Sequence, residues 1–502
     1  MISRGVSAGA ATSVRSPLVS RLPVVLIGLL AVAAVGIALF GGAEMPIWIA
    51  FGILSLIAIV LSVRFPAHLL AISLAAYALF CSLWLEVHFP VGTLDVNLSQ
   101  LYLSCVAILL VLGMGFYSHY GPIRANLPVV LGAALGLLLS VSLANLTDFR
   151  PALPPLLRYW VGILVFYAAF VLGRESRSNR IVQTGFAVGA FAACATAIHD
   201  YLTPHVADPL ESLYVGPYRA AGSLGGVTNT GTIALAATYF FAVKLLERPR
   251  RLERLVFAAG ALVSGVVILL NFTRSSMLGA VLAAIIFATI GQSDRTKGRR
   301  GMMILAALAV WAIIGLTILP KSTIESRFGD LQVGDQSTST RTIGSGRGAI
   351  WSIVADGILQ STWGEWAFGH GVEAVTGLVR KRMGIPFQAH NSYLEIAYDA
   401  GIVGLALYIA FIIAVLVALW RKATRTRSSG AYLWFSFTLA YYLSTEMFIH
   451  HVYYMGGRFF ILVFTGLVLA DGWPASAQQP PAAMEPTAGA GDSTPSPQTG
   501  PS

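Results

Sequence analysis

The chain has 502 residues, of which 56% are hydrophobic and only 11% charged, against roughly a quarter charged in soluble domains. That balance excludes an ordinary soluble fold and, with apolar runs of bilayer-spanning length recurring from residue 22 to residue 471, defines a polytopic membrane protein. The net charge of +10 comes with no nucleic-acid-binding motif, and the three cysteines Cys81, Cys105 and Cys194, all inside apolar runs, supply neither a disulfide framework nor a CxxC metal site.

In chain order, residues 1–21 form a basic segment carrying Arg4, Arg15 and Arg21. No small-x-small cleavage pattern follows the first apolar run, which therefore reads as a retained helix. Apolar runs at 22–40, 46–63, 68–85, 98–116, 127–145, 154–173, 181–199, 229–246, 255–271, 275–290 and 302–319 lead to a long polar segment, 320–392. Three more follow at 393–419, 431–446 and 456–471. The expected fold is all-α, with about 12 to 14 transmembrane helices. Residues 472–502, rich in Pro, Ala, Gly, Ser and Thr, bury too little apolar surface to fold and read as a disordered tail.

Lys and Arg collect in short cytoplasmic loops, and this bias orients the chain. With the amino terminus inside, most of the 33 Lys and Arg residues fall on one side, including Arg174, Arg177, Arg180, Lys244, Arg250, Arg251, Arg254, Arg421, Lys422, Arg425 and Arg427. The basic excess is then anchoring toward anionic membrane lipid, both termini are cytoplasmic, and 320–392 is a long outer loop. The outer face carries two sizeable polar stretches, 200–228 with YRAAGSLGG and 320–392 with GRGAIW, FGHG and QAHNS. Loops of such length between packed elements tend to be functional or disordered.

Guanidinium groups hold phosphate oxygens in a fork of donors. Arg219, Arg274 and Arg347 all fall on the outer side beside small residues, in YRAAGS, FTRSSM and SGRGAI, where a bulky anion can approach. An intramembrane arginine costs roughly 2.5 to 3.5 kcal/mol on insertion scales, which makes Arg274, in the polar break between two apolar runs, a functional candidate. The bland alternative for each is a snorkelling or carboxylate-paired side chain. Arg380, Lys381 and Arg382 read as a solvated charge run.

In QAHNSYLEIAYDAGIVGL (388–405), Ser392 followed by Glu395 fits a capping box that starts a helix. His390 and Asn391 precede its first turn, where free amides and the helix dipole favour an anion and disfavour an imidazolium. A neutral histidine there is a general base for a hydroxyl nucleophile or, equally on local sequence, an interfacial ring with no partner. Asp399, about two turns into the apolar run, needs a partner and reads as structural.

The ordered series YRAAGSLGGVTNTGTIAL, NFTRSSMLGAVLAAI, GRGAIW with FGHGVE, and AHNSYLEIAYDAGIVGL resembles the O-antigen ligase and polymerase superfamily over roughly residues 215 to 410. The resemblance implies a GT-C-like, multi-pass enzyme of the bacterial inner membrane that works on the periplasmic face. It implies that Arg219 and Arg274 hold the diphosphate of an undecaprenyl-linked glycan donor and that Arg347 and Trp351 shape this donor site. His390 would activate or orient the acceptor hydroxyl, with Asn391 and Glu395 supporting the loop. No metal ion or other cofactor is implied. The family's Ser-Arg-Ser/Gly block stands here as Thr273-Arg274-Ser275-Ser276.

The acceptor is either a second lipid-linked glycan, which makes a polysaccharide polymerase, or the lipid A core, which makes a ligase; the larger span count tips toward the polymerase. A chain-length regulator is a possible partner of a polymerase. From another class, a flippase or transporter would also be rich in apolar spans. It would be expected to show internal repeats and polar mid-membrane helices, neither of which stands out here.

Overall fold

A computed structural model describes residues 65–86, 88–91, 94–116, 126–146, 150–202, 227–247, 249–271, 273–290, 347–384, 386–448, 453 and 456–470. The expected spans at 22–40, 46–63 and 302–319, the segments 1–21 and 472–502, and Arg219 lie outside these residues. Before the polar segment the helices are α1 Pro66–Glu86, α2 Leu98–Phe116, α3 Leu127–Ser142, α4 Leu153–Leu172, α5 Ser176–Leu202, α6 Val227–Leu246, α7 Arg251–Asn271 and α8 Arg274–Ile290. Then come α9 Arg347–Leu359, α10 Trp363–Phe368, α11 Ala374–Met383, α12 Ser392–Asp399, α13 Gly401–Thr426, α14 Ser429–Phe448 and α15 Gly456–Leu469. By length and composition α4, α5, α6, α7 and α13 are each able to cross a bilayer, and α1, α2, α3, α8 and α15 contain shorter apolar stretches. A departure from the all-α expectation is the antiparallel hairpin of β1 His88–Val91 and β2 Leu94–Asn97, between α1 and α2.

In hydrocarbon the helices cannot be driven together by burying apolar surface from water, so close backbone approach and interhelical hydrogen bonds do that work. Gly185 of α5 meets α1 so closely that a Cβ would lie 2.3 Å from the Ala71 Cα, and a Cβ on Gly466 of α15 would lie 2.6 Å from the Phe166 carbonyl oxygen of α4. Between them sits an aromatic core in which Trp434 meets Phe464 edge-on at 4.3 Å and Phe186 meets Phe460 at 5.4 Å. Trp434 satisfies its indole N–H on Thr465 Oγ1 at 3.1 Å. On α7 the exposed Leu252, Leu255 and Leu262 leave an apolar face of the kind that lipid covers.

Two expectations are corrected. The apolar run 393–419 is two helices, α12 and α13, because the chain breaks at Gly401. Its φ of +68 and the approach of the Ala367 carbonyl carbon, 2.4 Å from where a Cβ would sit, admit only glycine without strain. The described part of the long loop, 347–384, is not irregular either. It folds as α9, α10 and α11 over a small core of its own, Ile350, Val354, Val375, Val379, Ala389 and Tyr398.

The two ends of the bundle differ in chemistry. At one end Lys422 donates to the Ala470 carbonyl at 2.7 Å, Gly173 abuts Ala470 and Gly430 abuts Val243, so the basic segments 174–180, 244–254 and 421–427 share that end. The loop helices gather at the other, where Trp351 packs on Phe448, Tyr453 hydrogen-bonds to Asp399, and Ser142 shares a cavity with His370.

Candidate functional site

Three of the blocks named above converge at this second end. The TRSS turn between α7 and α8 packs on Gly231 of α6, where a Cβ would lie 2.6 Å from Asn271 Oδ1, 3.0 Å from Ser276 Oγ and 3.0 Å from Thr273 Oγ1. Thr273 Oγ1 also donates a short hydrogen bond to Asn271 Oδ1. Arg274 is therefore the first residue of α8 on a turn braced by the TNTGT segment. Arg347 is the first residue of α9, and α9 is fastened to the residue before His390 by a hydrogen bond from Trp351 Nε1 to the Ala389 carbonyl at 2.8 Å.

These groups influence one another electrostatically. Burial, and then the Arg274 guanidinium, hold the Arg347 pKa below its ordinary value. Burial, and then Arg347, press His390 down to about 4. Each group thus senses another cation, and both arginines stand at helix amino termini, where the dipole already disfavours positive charge. Guanidinium groups near one another at helix amino termini make the surroundings favourable to an anion. His390 is neutral at pH 7.

His390 takes a left-handed backbone conformation, φ +50, uncommon for a residue with a β-carbon and a sign of a position held by its surroundings. The capping-box expectation is corrected here. Asn391, not Ser392, caps α12, its Oδ1 accepting from the Tyr393 and Leu394 amides at 3.0 and 3.1 Å. An asparagine side chain is short enough to reach both amides from the cap, so Ser392 becomes the first helical residue. Glu395 then points inward; it is fully buried, and neither carboxylate oxygen has a hydrogen-bond partner among the described residues.

Asp399 has the structural role expected of it. Its carboxylate accepts from the Glu373 and Val375 amides at 2.9 and 3.2 Å, satisfying the start of α11, and from Tyr453 Oη at 3.1 Å. The FGHG turn docks on the same place, His370 N–H donating to the Tyr398 carbonyl and Gly371 N–H to the Asp399 carbonyl. Gly369 (φ +82) lies so close that a Cβ would be 2.2 Å from the Asp399 oxygen. The two motifs FGHGVE and YDAG are thus halves of one joint.

A buried network under α12 went unread in the sequence. Glu446 accepts from Tyr408 Oη at 3.0 Å and Tyr441 Oη at 2.6 Å, Tyr393 Oη donates to the Tyr442 carbonyl at 2.8 Å, and the buried Arg458 lies 6.0 Å from the Tyr159 ring centroid. The available signal was Glu446, an acid closing the apolar run 431–446, which carries no meaning until its tyrosine partners on α13 and α14 are known. Among the described residues no group of three or more His, Cys, Asp and Glu side chains is arranged to hold a metal ion.

A bundle of apolar helices with a polar cap of short helices defines a polytopic membrane protein. Residues 259–409 match the family model described as O-antigen ligase, a segment that takes in the TRSS turn, the cap helices and His390. This match agrees with the O-antigen ligase and polymerase superfamily suggested by the ordered motifs. No curated protein matches the chain.

Proposed function

We propose that the protein is a glycosyltransferase of the bacterial inner membrane that moves a glycan from undecaprenyl diphosphate to an acceptor hydroxyl on the periplasmic face. The observation that carries this reading is that the Arg274 guanidinium acts on Arg347 and Arg347 on the neutral His390, on a loop that Trp351 fastens to α9 at the polar end of the bundle, inside the segment that matches the O-antigen ligase family. Arg274 and Arg347, joined by Arg219, hold the diphosphate, whose developing negative charge they stabilise as the sugar–phosphate bond breaks. Trp351 and Asn391 position the loop that bears His390.

His390 takes the proton of the acceptor hydroxyl as the oxygen attacks the anomeric carbon. The bonding pair of the C–O bond leaves with undecaprenyl diphosphate, and attack from the opposite face inverts the anomeric centre. Alignment and charge neutralisation do the catalytic work, since the leaving group is already activated. The span count favours a polysaccharide polymerase, whose acceptor is a second lipid-linked glycan and whose chain length a partner protein would regulate. The family description itself supports a second reading, a ligase whose acceptor is the lipid A core.

Purified protein given donor and acceptor should release undecaprenyl diphosphate. Arg274→Lys, which keeps the charge but loses the fork, should lower that rate by about 10²-fold. A wild-type rate in Arg274→Lys together with a wild-type rate in His390→Ala would remove both residues from the reaction.

A further inference from the structure

Helix α12 turns one stripe inward, on which Ser392, Glu395, Ile396 and Asp399 are all fully buried. Two fastenings hold the helix. At its first turn Tyr393 Oη donates to the Tyr442 carbonyl of α14 at 2.8 Å. At its last, Asp399 accepts from the Glu373 and Val375 amides and from Tyr453 Oη. Glu395 lies between these fastenings, one turn before Asp399, and neither of its carboxylate oxygens has a hydrogen-bond partner among the described residues.

The groups that face Glu395 do not supply a positive charge. Asp399 acts on it from its own helix, Glu373 from the start of α11 and Glu446 from α14. Tyr453, which senses Glu395, gives its hydroxyl to Asp399, and Tyr408 of α13 gives its own to Glu446. From α9 and α13, which also pack on α12, no charged group among the described residues acts on Glu395.

A carboxylate sealed from water with neither donor nor cation is so costly that the group takes up a proton instead. The dipole at the α12 amino terminus favours a negative charge, but it is the smaller effect. Burial, and then Asp399, Glu373 and Glu446, lift the Glu395 carboxyl well above the ordinary carboxylate range. Of the two acids on the stripe, Asp399 has three donors and Glu395 none. The charge therefore belongs on Asp399 and the proton on Glu395. An amide or apolar side chain would fill the same place without an ionisable group to hold neutral, so stability alone does not account for an acid here.

We propose that Glu395 is a positioning residue that docks α12 only as the neutral carboxylic acid, so that its ionisation releases the helix whose amino end carries His390. On release the carboxyl proton passes to water and the carboxylate becomes hydrated. The docked helix holds a proton that the released helix gives up. Release therefore grows as pH rises from the ordinary carboxyl range, about 4, and levels off above the raised value of the docked helix. Between those limits the released fraction increases about tenfold per pH unit. The effect on turnover rests on the role given to His390 above, whereas the release of α12 does not.

The test is amide hydrogen exchange of the full-length protein in lipid nanodiscs, comparing wild type with Glu395→Gln at each pH. Glutamine has the shape of the neutral acid and cannot ionise. Comparison at equal pH cancels the intrinsic pH dependence of exchange. The ratio of wild-type to variant exchange over α12 should climb by about tenfold per pH unit from about pH 5 until it levels off. Exchange in α4 should stay the same in both proteins. Glu395→Leu, also unable to ionise, is the second variant should the amide fail to fold. Infrared spectra of the wild type at pH 7 should contain the carbonyl band of a protonated carboxyl that both variants lack.

In turnover, an alkaline limb of kcat present in the wild type should vanish in Glu395→Gln while the acid limb set by His390 remains. A failed transfer reaction leaves the exchange and infrared results standing. Equal pH dependence of α12 exchange in wild type and variants, or no protonated carboxyl band at pH 7, overturns the proposal. An alkaline limb identical in wild type and Glu395→Gln overturns the positioning role. So does alkaline release of α12 that added Mg²⁺ or Ca²⁺ suppresses in the wild type alone, which would make Glu395 a cation ligand.

Discussion

His390 sits in a strained backbone conformation, next to a buried alanine and under the influence of a guanidinium, and these facts fix how it should titrate. A histidine whose pKa is lowered is neutral above that pKa and charged below it. With the free-protein value pressed down to about 4, kcat/KM should hold its base-dependent level down to about pH 4 to 5. A bound diphosphate adds negative charge beside the ring and favours the imidazolium, so the acid limb of kcat should lie at higher pH than that of kcat/KM. Coincident limbs near 6.5 would contradict the placement of His390 beside Arg347 in a desolvated site. His390→Ala should lower kcat by about 10² to 10⁴ while leaving thermal unfolding near the wild type.

The candidate residues were partly legible in the sequence. Arg274 and His390 stand at the margins of apolar runs and Arg347 beside small residues within the long polar segment, and their electrostatic influence on one another is what the structure adds. Glu395 was misread because Ser-x-x-Glu matches a cap whether or not the preceding Asn takes that place first.

At the scale of elements, the joint among α10, α11, α12 and α13 holds the site in register. Gly369 and Gly401 let the FGHG turn and the α12–α13 break touch backbone to backbone, and Asp399 ties both to α11. Gly369→Ala must push a β-carbon into the Asp399 carbonyl at positive φ, a cost expected to exceed the usual ~1 kcal/mol for glycine at such a position. It should appear as a lowered unfolding temperature in detergent. Asp399→Ala orphans two backbone amides and a tyrosine hydroxyl at about 1 to 3 kcal/mol each, less whatever water recovers.

Trp351→Phe keeps the ring but loses the bond to the Ala389 carbonyl. It should reduce kcat more than it raises the donor KM, as expected of a residue that positions His390 rather than binding substrate. None of this joint was readable from periodicity. An apolar run broken by one glycine looks continuous, and helices of six to thirteen residues within a polar loop carry too weak a pattern to stand out.

For the whole molecule, hydropathy was a sufficient guide to the bundle. Each apolar run that falls on described residues lies on helix, with 393–419 divided between two. The reason is that helices satisfy their own backbone in lipid, so length and apolarity nearly determine the element. The basic segments and the loop helices lie at opposite ends of the bundle. What hydropathy cannot carry is the polar cap, where residues far apart in sequence act on one another, as in the hydrogen bond of Tyr453 to Asp399 or the electrostatic influence of Arg274 on Arg347.

The central claim is that this cap gathers cations for a lipid diphosphate, and binding tests it without requiring turnover. Undecaprenyl diphosphate should bind the purified protein with an affinity that falls at least tenfold in Arg274→Ala and in Arg347→Ala, and the two losses should be non-additive because the groups share one anion. Unchanged affinity in both variants would contradict the account.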